Sequence, residues 1–81
     1  MYYVRVKIGD SRYESEANPT ATIKGLYDAG RRIARWGRYH HVKTRFIVND
    51  LETGKSVFRM YSRESEKRGW ISRRVGVYDD I

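Results

Sequence analysis

Arginine is the residue type that dominates this chain's chemistry. Twelve arginines and five lysines stand against ten carboxylates, for a formal net charge of +7 and a pI near 10.0. A guanidinium is a planar fork that grips phosphate and carboxylate two-handed, and a domain pI above roughly 9 is the electrostatic footprint of a nucleic-acid partner. The charge is unevenly placed. Residues 1–28 hold four bases (Arg5, Lys7, Arg12, Lys24) and four acids (Asp10, Glu14, Glu16, Asp28), so all seven net charges fall after residue 28. From Arg31 to Arg45 there are six bases and no acid.

Other chemistries are thinly supplied. A glycosidase-type mechanism needs two carboxylates converging on a substrate, whereas the acids here sit in turns (Asp10, Asp50, Glu52), one strand (Glu14, Glu16) and the end of the chain (Asp79, Asp80). His40-His41 is the one histidine pair. Adjacent histidines on a strand point to opposite faces and chelate one metal poorly. Neither has a nucleophile in a triad context. His40 fits better as a phosphate or carboxylate contact beyond a helix end. There is no glycine-rich phosphate loop. The absence of cysteine removes disulfides, thiolate nucleophiles and Cys-based zinc sites together. The expectation is a protein that is not an enzyme and uses no cofactor or metal.

The elements that must position the arginines follow from periodicity. Tyr2, Val4, Val6 and Ile8 alternate with Tyr3, Arg5 and Lys7, a half-buried strand. Gly9-Asp10 is a type II′ turn, and Arg12 to Ala17 returns, placing Glu14 and Glu16 near Arg5 and Lys7. Asn18, Thr20 or Thr22 can cap a helix whose inner face is Ile23, Leu26, Tyr27, Gly30, Ile33 and Ala34. Gly30 would let that helix approach a sheet closely, and Gly37 reads as its stop. Trp36 is expected to pack in the core at the helix end. Lys24, Arg31, Arg35 and Arg38 form a stripe on one helix flank. Arg31 and Arg35 repel at one-turn spacing by a few tenths of a kcal/mol, a cost worth keeping for a partner.

Three more strands are expected: Val42 to Asn49, with Val42, Thr44, Phe46 and Val48 on one face; Ser56 to Ser62 after a hairpin loop at 50–54; and Trp70 to Tyr78 after a polar connection at 63–69, with Ile71, Val75 and Val77 inward. The sum is a single α+β domain over residues 1–81, in the order β-β-α-β-β-β. One helix packs on one face of an antiparallel sheet of four to five strands. With the helix on the Phe46/Phe58 face, the other face carries Tyr3, Arg5, Lys7, Lys43, Arg45, Ile47, Val57, Arg59 and Tyr61, a basic surface with interleaved aromatics. Such residues displace counterions from nucleic acid and stack on bases. Trp70, after Lys67-Arg68-Gly69, could stack on a base or anchor an interface, or equally pack within the fold. The candidate binding residues are therefore Lys24, Arg31, Arg32, Arg35, Arg38, His40, Lys43, Arg45, Arg59, Lys67, Arg68 and Trp70.

The opening Met1-Tyr2-Tyr3-Val4-Arg5-Val6-Lys7, the segment Ala29-Gly30-Arg31-Arg32-Ile33-Ala34, Tyr39-His40, the hairpin with Gly54, Tyr61 and Lys67-Arg68-Gly69-Trp70-Ile71 together resemble small phage anti-CRISPR proteins that bind the type I-F surveillance complex. The likeness spans most of residues 1–71. This chain departs from it in a longer hairpin loop, about ten further residues at the end and a stronger positive charge, so contact residues do not transfer. The resemblance implies an inhibitor that docks on a CRISPR effector nucleoprotein through basic and polar residues and interferes with DNA targeting. Two other functions fit the residues: a sequence-nonspecific double-stranded DNA- or RNA-binding module, and a structural or assembly protein. No apolar run approaches a membrane span, and Met1 to Arg5 does not read as a signal peptide. The expected location is the cytoplasm, the host's if the protein is phage-encoded, as a monomer or a homodimer joined at a strand edge.

Overall fold

A computed structural model describes residues 1–76. Its elements are β1 (Tyr2–Ile8), β2 (Ser11–Glu16), α1 (Ile23–His40), β3 (Thr44–Asp50), β4 (Ser56–Ser65) and β5 (Gly69–Val75). The five strands form one sheet in the order β2-β1-β3-β4-β5. Every neighbouring pair is antiparallel. The α+β architecture read from periodicity is the one observed.

Each hairpin is made by local chemistry. The β1–β2 turn places Gly9 at φ +60° while Asp10 stays at negative φ, which is the type II′ pattern. Arg5 pairs with Glu14 as expected, but Lys7 faces Arg12 and Glu16 faces Tyr3. The register set by the two-residue turn therefore puts one like-charge pair where an ion pair was expected. Between β2 and α1, the Asn18 side chain accepts from the Thr20 backbone N–H at 3.0 Å and from its hydroxyl at 2.8 Å. Asn18 thus shapes a turn, and Thr22 is the helix cap, accepting from Gly25 N–H at 3.0 Å.

The core lies between α1 and β3–β5. Phe46, Val48, Phe58 and Met60 are buried with Ala34. Tyr2, Val4 and Val6 of β1 and Leu26, Tyr27 and Ile33 of the helix close its margins. Tyr27 meets Phe58 edge-on at 5.6 Å. Burying side chains of this size contributes about 1.5–3 kcal/mol each, so the four large core residues carry much of the fold.

Gly37 does not stop the helix, which runs on to His40. Instead Gly37 is the point of closest approach to the sheet. A Cβ there would lie 2.2 Å from Ser62 Oγ and 2.7 Å from the Val42 carbonyl oxygen. The left-handed cap falls to His41, at φ 57° and ψ 47°, and Val42 N–H also returns to the Gly37 carbonyl at 2.8 Å. Beneath Gly37 the Ser62 hydroxyl donates to the Val42 carbonyl at 2.7 Å. Its single proton being committed there, the Thr44 hydroxyl must donate to Ser62, 2.7 Å away.

Trp36 lies about 100° round the helix from the sheet-facing Gly37 and so on its outer surface. It is 45% exposed, and its ring rests 4.8 Å from that of His40 one turn on, which corrects its placement in the core. β4 extends to Ser65, so the polar connection shrinks to residues 66–68. The phase of β5 is also the reverse of the expected one. Met60 pairs with Arg74 and Ser62 with Ser72, so Ser72 and Arg74 share the helix face, while Ile71 and Val75 lie on the other. An edge strand tolerates this because Arg74 stays exposed, its guanidinium meeting Tyr27 at the core margin. Val77, Tyr78, Asp79 and Asp80 lie outside the described residues.

Candidate polyanion-binding surface

Strand alternation turns the sheet arginines other than Arg74 away from the helix. With Phe46, Val48, Phe58 and Met60 under α1, Arg45, Ile47, Arg59 and Tyr61 face the opposite side. The registers assemble them into rows across the strands. One row reads Arg12, Lys7, Arg45, Tyr61, Arg73, each residue the partner of the next. The row below it reads Glu14, Arg5, Ile47, Arg59, Val75. At about 4.8 Å between strands, the upper row spans roughly 19 Å and holds four cations, one tyrosine and no acid. Like charges directly opposite one another are destabilising, and here Arg12–Lys7 and Lys7–Arg45 are two such pairs in succession.

The field of this face is not cancelled locally. Among the described residues, Lys24 with Asp28 at 3.2 Å is the one ion pair made by a lysine or arginine. Glu14, the acid that ends the lower row opposite Arg5, accepts from the Tyr3 hydroxyl at 3.1 Å. That hydrogen bond, with desolvation and the carboxylate's charge behind it, pushes the Tyr3 phenol above its ordinary pKa of 10.0.

A second basic region lies between α1 and the outer strand. Arg31, Arg35 and Arg38 of the helix and Arg73 and Arg74 of β5 line an open groove of about 720 Å³, and no carboxylate lines it. Arg74 hydrogen-bonds the Tyr27 hydroxyl and sits 5.5 Å from that ring's centroid, a cation–π contact. The tyrosine thus braces one arginine at the groove's mouth.

The third region is aromatic. Trp36, Tyr39 (81% exposed) and His40 cluster on the outer helix surface. At the same end of the helix, His41 stacks flat on Trp70, ring centroids 5.4 Å apart and 4° from parallel. The pair walls a broad depression of about 880 Å³ that also takes in Lys43, Arg45, Arg59 and Arg63.

The expected binding residues therefore divide. Arg45 and Arg59 share the sheet face; Arg31, Arg35 and Arg38 share the groove; Lys43 and Trp70 share the depression. Lys24 is tied to Asp28 and does not line the groove. Arg32 is exposed on the helix outside the groove, His40 belongs to the aromatic cluster, and Lys67 and Arg68 are exposed in the β4–β5 turn. Arg5, Lys7, Arg12, Arg63, Arg73 and Arg74 join the basic regions without having been among those candidates. The positive surface is thus not confined to residues after 28, since β1 and β2 supply three of its cations. Arg73 and Arg74 could have been found from strand alternation, which must send consecutive arginines to opposite faces.

Among the described residues no group of three His, Asp or Glu side chains could hold a metal ion, and no helix is long and apolar enough to cross a membrane. Comparison of the chain with protein-family models, with curated proteins and with solved structures finds no match.

Proposed function

We propose that this chain is a small, non-enzymatic binding protein that docks on a nucleoprotein, its open sheet face gripping the phosphodiester backbone. In the setting implied by the resemblance to phage inhibitors, that nucleoprotein is a CRISPR effector complex and docking interferes with DNA targeting. The observation that carries the reading is the row Arg12–Lys7–Arg45–Tyr61–Arg73, cationic from one sheet edge to the other. Rows of cations that repel one another are costly to maintain without an anion to share. A nucleoprotein also offers protein surface, and exposed Trp36 and Tyr39 beside Arg32 and Arg35 have the composition of interface hot spots.

Binding should be strongly salt-dependent. Six cations, the upper row's four with Arg5 and Arg59, give a log–log slope of about −5 on duplex DNA at about 0.9 per phosphate. The test is anisotropy against duplex DNA, single-stranded RNA and a purified CRISPR ribonucleoprotein, from 50 to 200 mM salt. Lys7→Glu/Arg45→Glu should abolish all binding. Trp36→Ala/Tyr39→Ala should weaken association with the ribonucleoprotein and spare bare nucleic acid. If nothing binds at 50 mM salt, nucleic-acid contact is ruled out; unchanged phage plating on a CRISPR-active host expressing the protein rules out the inhibitor.

A plain DNA- or RNA-binding module is the second reading, favoured by Tyr61 lying within the cationic row, where it can stack on a base. It predicts that Trp36→Ala/Tyr39→Ala changes nothing.

A further inference from the structure

The two basic regions meet at one strand. The sheet row ends at Arg73, on the outer strand β5. The next residue, Arg74, points to the helix side by alternation and enters the groove with Arg31, Arg35 and Arg38; Arg73 lines that groove as well. Among the described residues β5 is the last strand of the sheet, with β4 as its partner on one side. Cations thus continue from the open face, over the edge, and along the helix flank.

We infer that the α1–β5 groove is a second phosphate-backbone site, continuous with the sheet face, and that its ligand is a single strand of nucleic acid folded over the β5 edge. The inference rests on the reading of the sheet face as a nucleic-acid surface and adds the strandedness and path of the ligand. Three features carry it. First, the groove's cations are uncompensated: no carboxylate lines it, and among the described residues Arg31, Arg35, Arg38 and Arg73 form no ion pair. Second, they are spaced along a track. From Arg31 to Arg38 the helix rises about 10 Å at 1.5 Å per residue, so its three arginines meet successive positions of an extended backbone rather than one isolated anion. Third, the turn is sharp. The path reverses across the width of one edge strand, a bend that a duplex with a persistence length of about 150 base pairs cannot follow and a single strand can.

Thymidine oligonucleotides of roughly 5 and 15 residues, bracketing the site sizes of single-strand-binding folds, separate the two regions. The short probe is satisfied by the sheet face; the long one reaches the groove. The wild-type chain is compared with Lys7→Gln/Arg45→Gln and with Arg31→Gln/Arg35→Gln/Arg38→Gln. All five positions are helix- or strand-surface residues, and matching circular dichroism melts establish that the variants fold. The expected result is that the groove triple leaves the short probe unaffected, weakens the long one at least tenfold, and lowers its log–log salt slope by about 2, three phosphates at about 0.7 each. Duplex binding should be untouched by the triple. Unchanged affinity for the long probe overturns the groove site while leaving the sheet reading intact. An equal loss on duplex overturns the folded path. Loss of binding to a labelled polyglutamate, but not to the long oligonucleotide, in the triple would show the groove to be a site for acidic protein and overturn the inference. Failure of every probe on the wild-type chain removes the sheet reading and the inference with it.

Discussion

Replacing Gly37 with alanine should be the most damaging single-methyl change in this protein. The new Cβ would lie 2.2 Å from Ser62 Oγ, 2.6 Å from Thr44 Cγ2 and 2.7 Å from the Val42 carbonyl oxygen. The last is backbone and cannot rotate away. Alanine's better helix propensity returns about 1 kcal/mol. Against it stand overpacking, at about 1–3 kcal/mol, and loss of the Ser62 hydrogen bond to Val42, which orphans a part-buried carbonyl at about 1–3 kcal/mol. The net is a destabilisation of about 1–5 kcal/mol, out of a total near 4–12 kcal/mol for a domain this size at about 0.05–0.15 kcal/mol per residue. At roughly 4–8 °C per kcal/mol, a mid-range loss lowers the melting temperature by 12–24 °C. Urea and thermal melts followed by circular dichroism read this directly. Gly30→Ala is the control, since its Cβ would meet only side-chain atoms, Phe46 Cδ1 at 2.9 Å and Met60 Sδ at 3.2 Å. A Gly37→Ala protein as stable as wild type, or less affected than Gly30→Ala, refutes the packing argument.

Two further expectations concern single hydrogen bonds. Ser62→Ala should cost about 1–3 kcal/mol, because it orphans both the Val42 carbonyl and the Thr44 hydroxyl; Thr44→Val should cost less in the same urea titration, since Ser62 still donates to Val42. Equal costs would mean the proton order is wrong. The raised pKa of Tyr3 comes chiefly from its bond to Glu14. A folded value above the unfolded one means that the contribution is complete below pH 10.0 and disappears as pH rises through the folded value. Glu14→Gln should return Tyr3 toward its ordinary value in an NMR or ultraviolet titration, and an unmoved midpoint would exclude Glu14 as the cause.

Much of this arrangement was legible because period two is unforgiving. Once Phe46 and Val48 are placed under a helix, Arg45 and Ile47 must face away, and the same holds for Arg5, Lys7 and Arg59. The failures have equally specific causes. Gly37 carries two meanings, a left-handed cap or a close approach, and only the sheet beneath it decides; here the cap went to His41, one of the few non-glycine residue types enriched in that conformation. With Gly37 facing the sheet, helix phase turns the neighbouring Trp36 outward. In β5 the adjacent apolar pair Trp70-Ile71 made both phases plausible, and the choice rested on the pairing of Met60 with Arg74 and Ser62 with Ser72. The groove was hidden for a different reason: its walls come from residues 31–38 and 73–74, and nothing local in either segment announces the other.

The position of β1 has a consequence for how the chain acquires its structure. β1 and β2 are made before the other elements and can zip locally through Gly9-Asp10, yet α1 lies chiefly over β3, β4 and β5, and the β1–β2 hairpin joins the rest of the sheet only through the pairing of β1 with β3. During synthesis the hairpin must wait, with one face of Val4 and Val6 bare, until Thr44–Asp50 has emerged. A two-stranded hairpin by itself is marginal in water, so the helix and the β3–β4–β5 meander should form the cooperative unit onto which the hairpin docks. The same asymmetry persists after folding. β2, exposed along its whole length, is the segment whose amides should exchange earliest with solvent, and its loosening would release Arg12 from the cationic row while leaving the groove at the far edge intact.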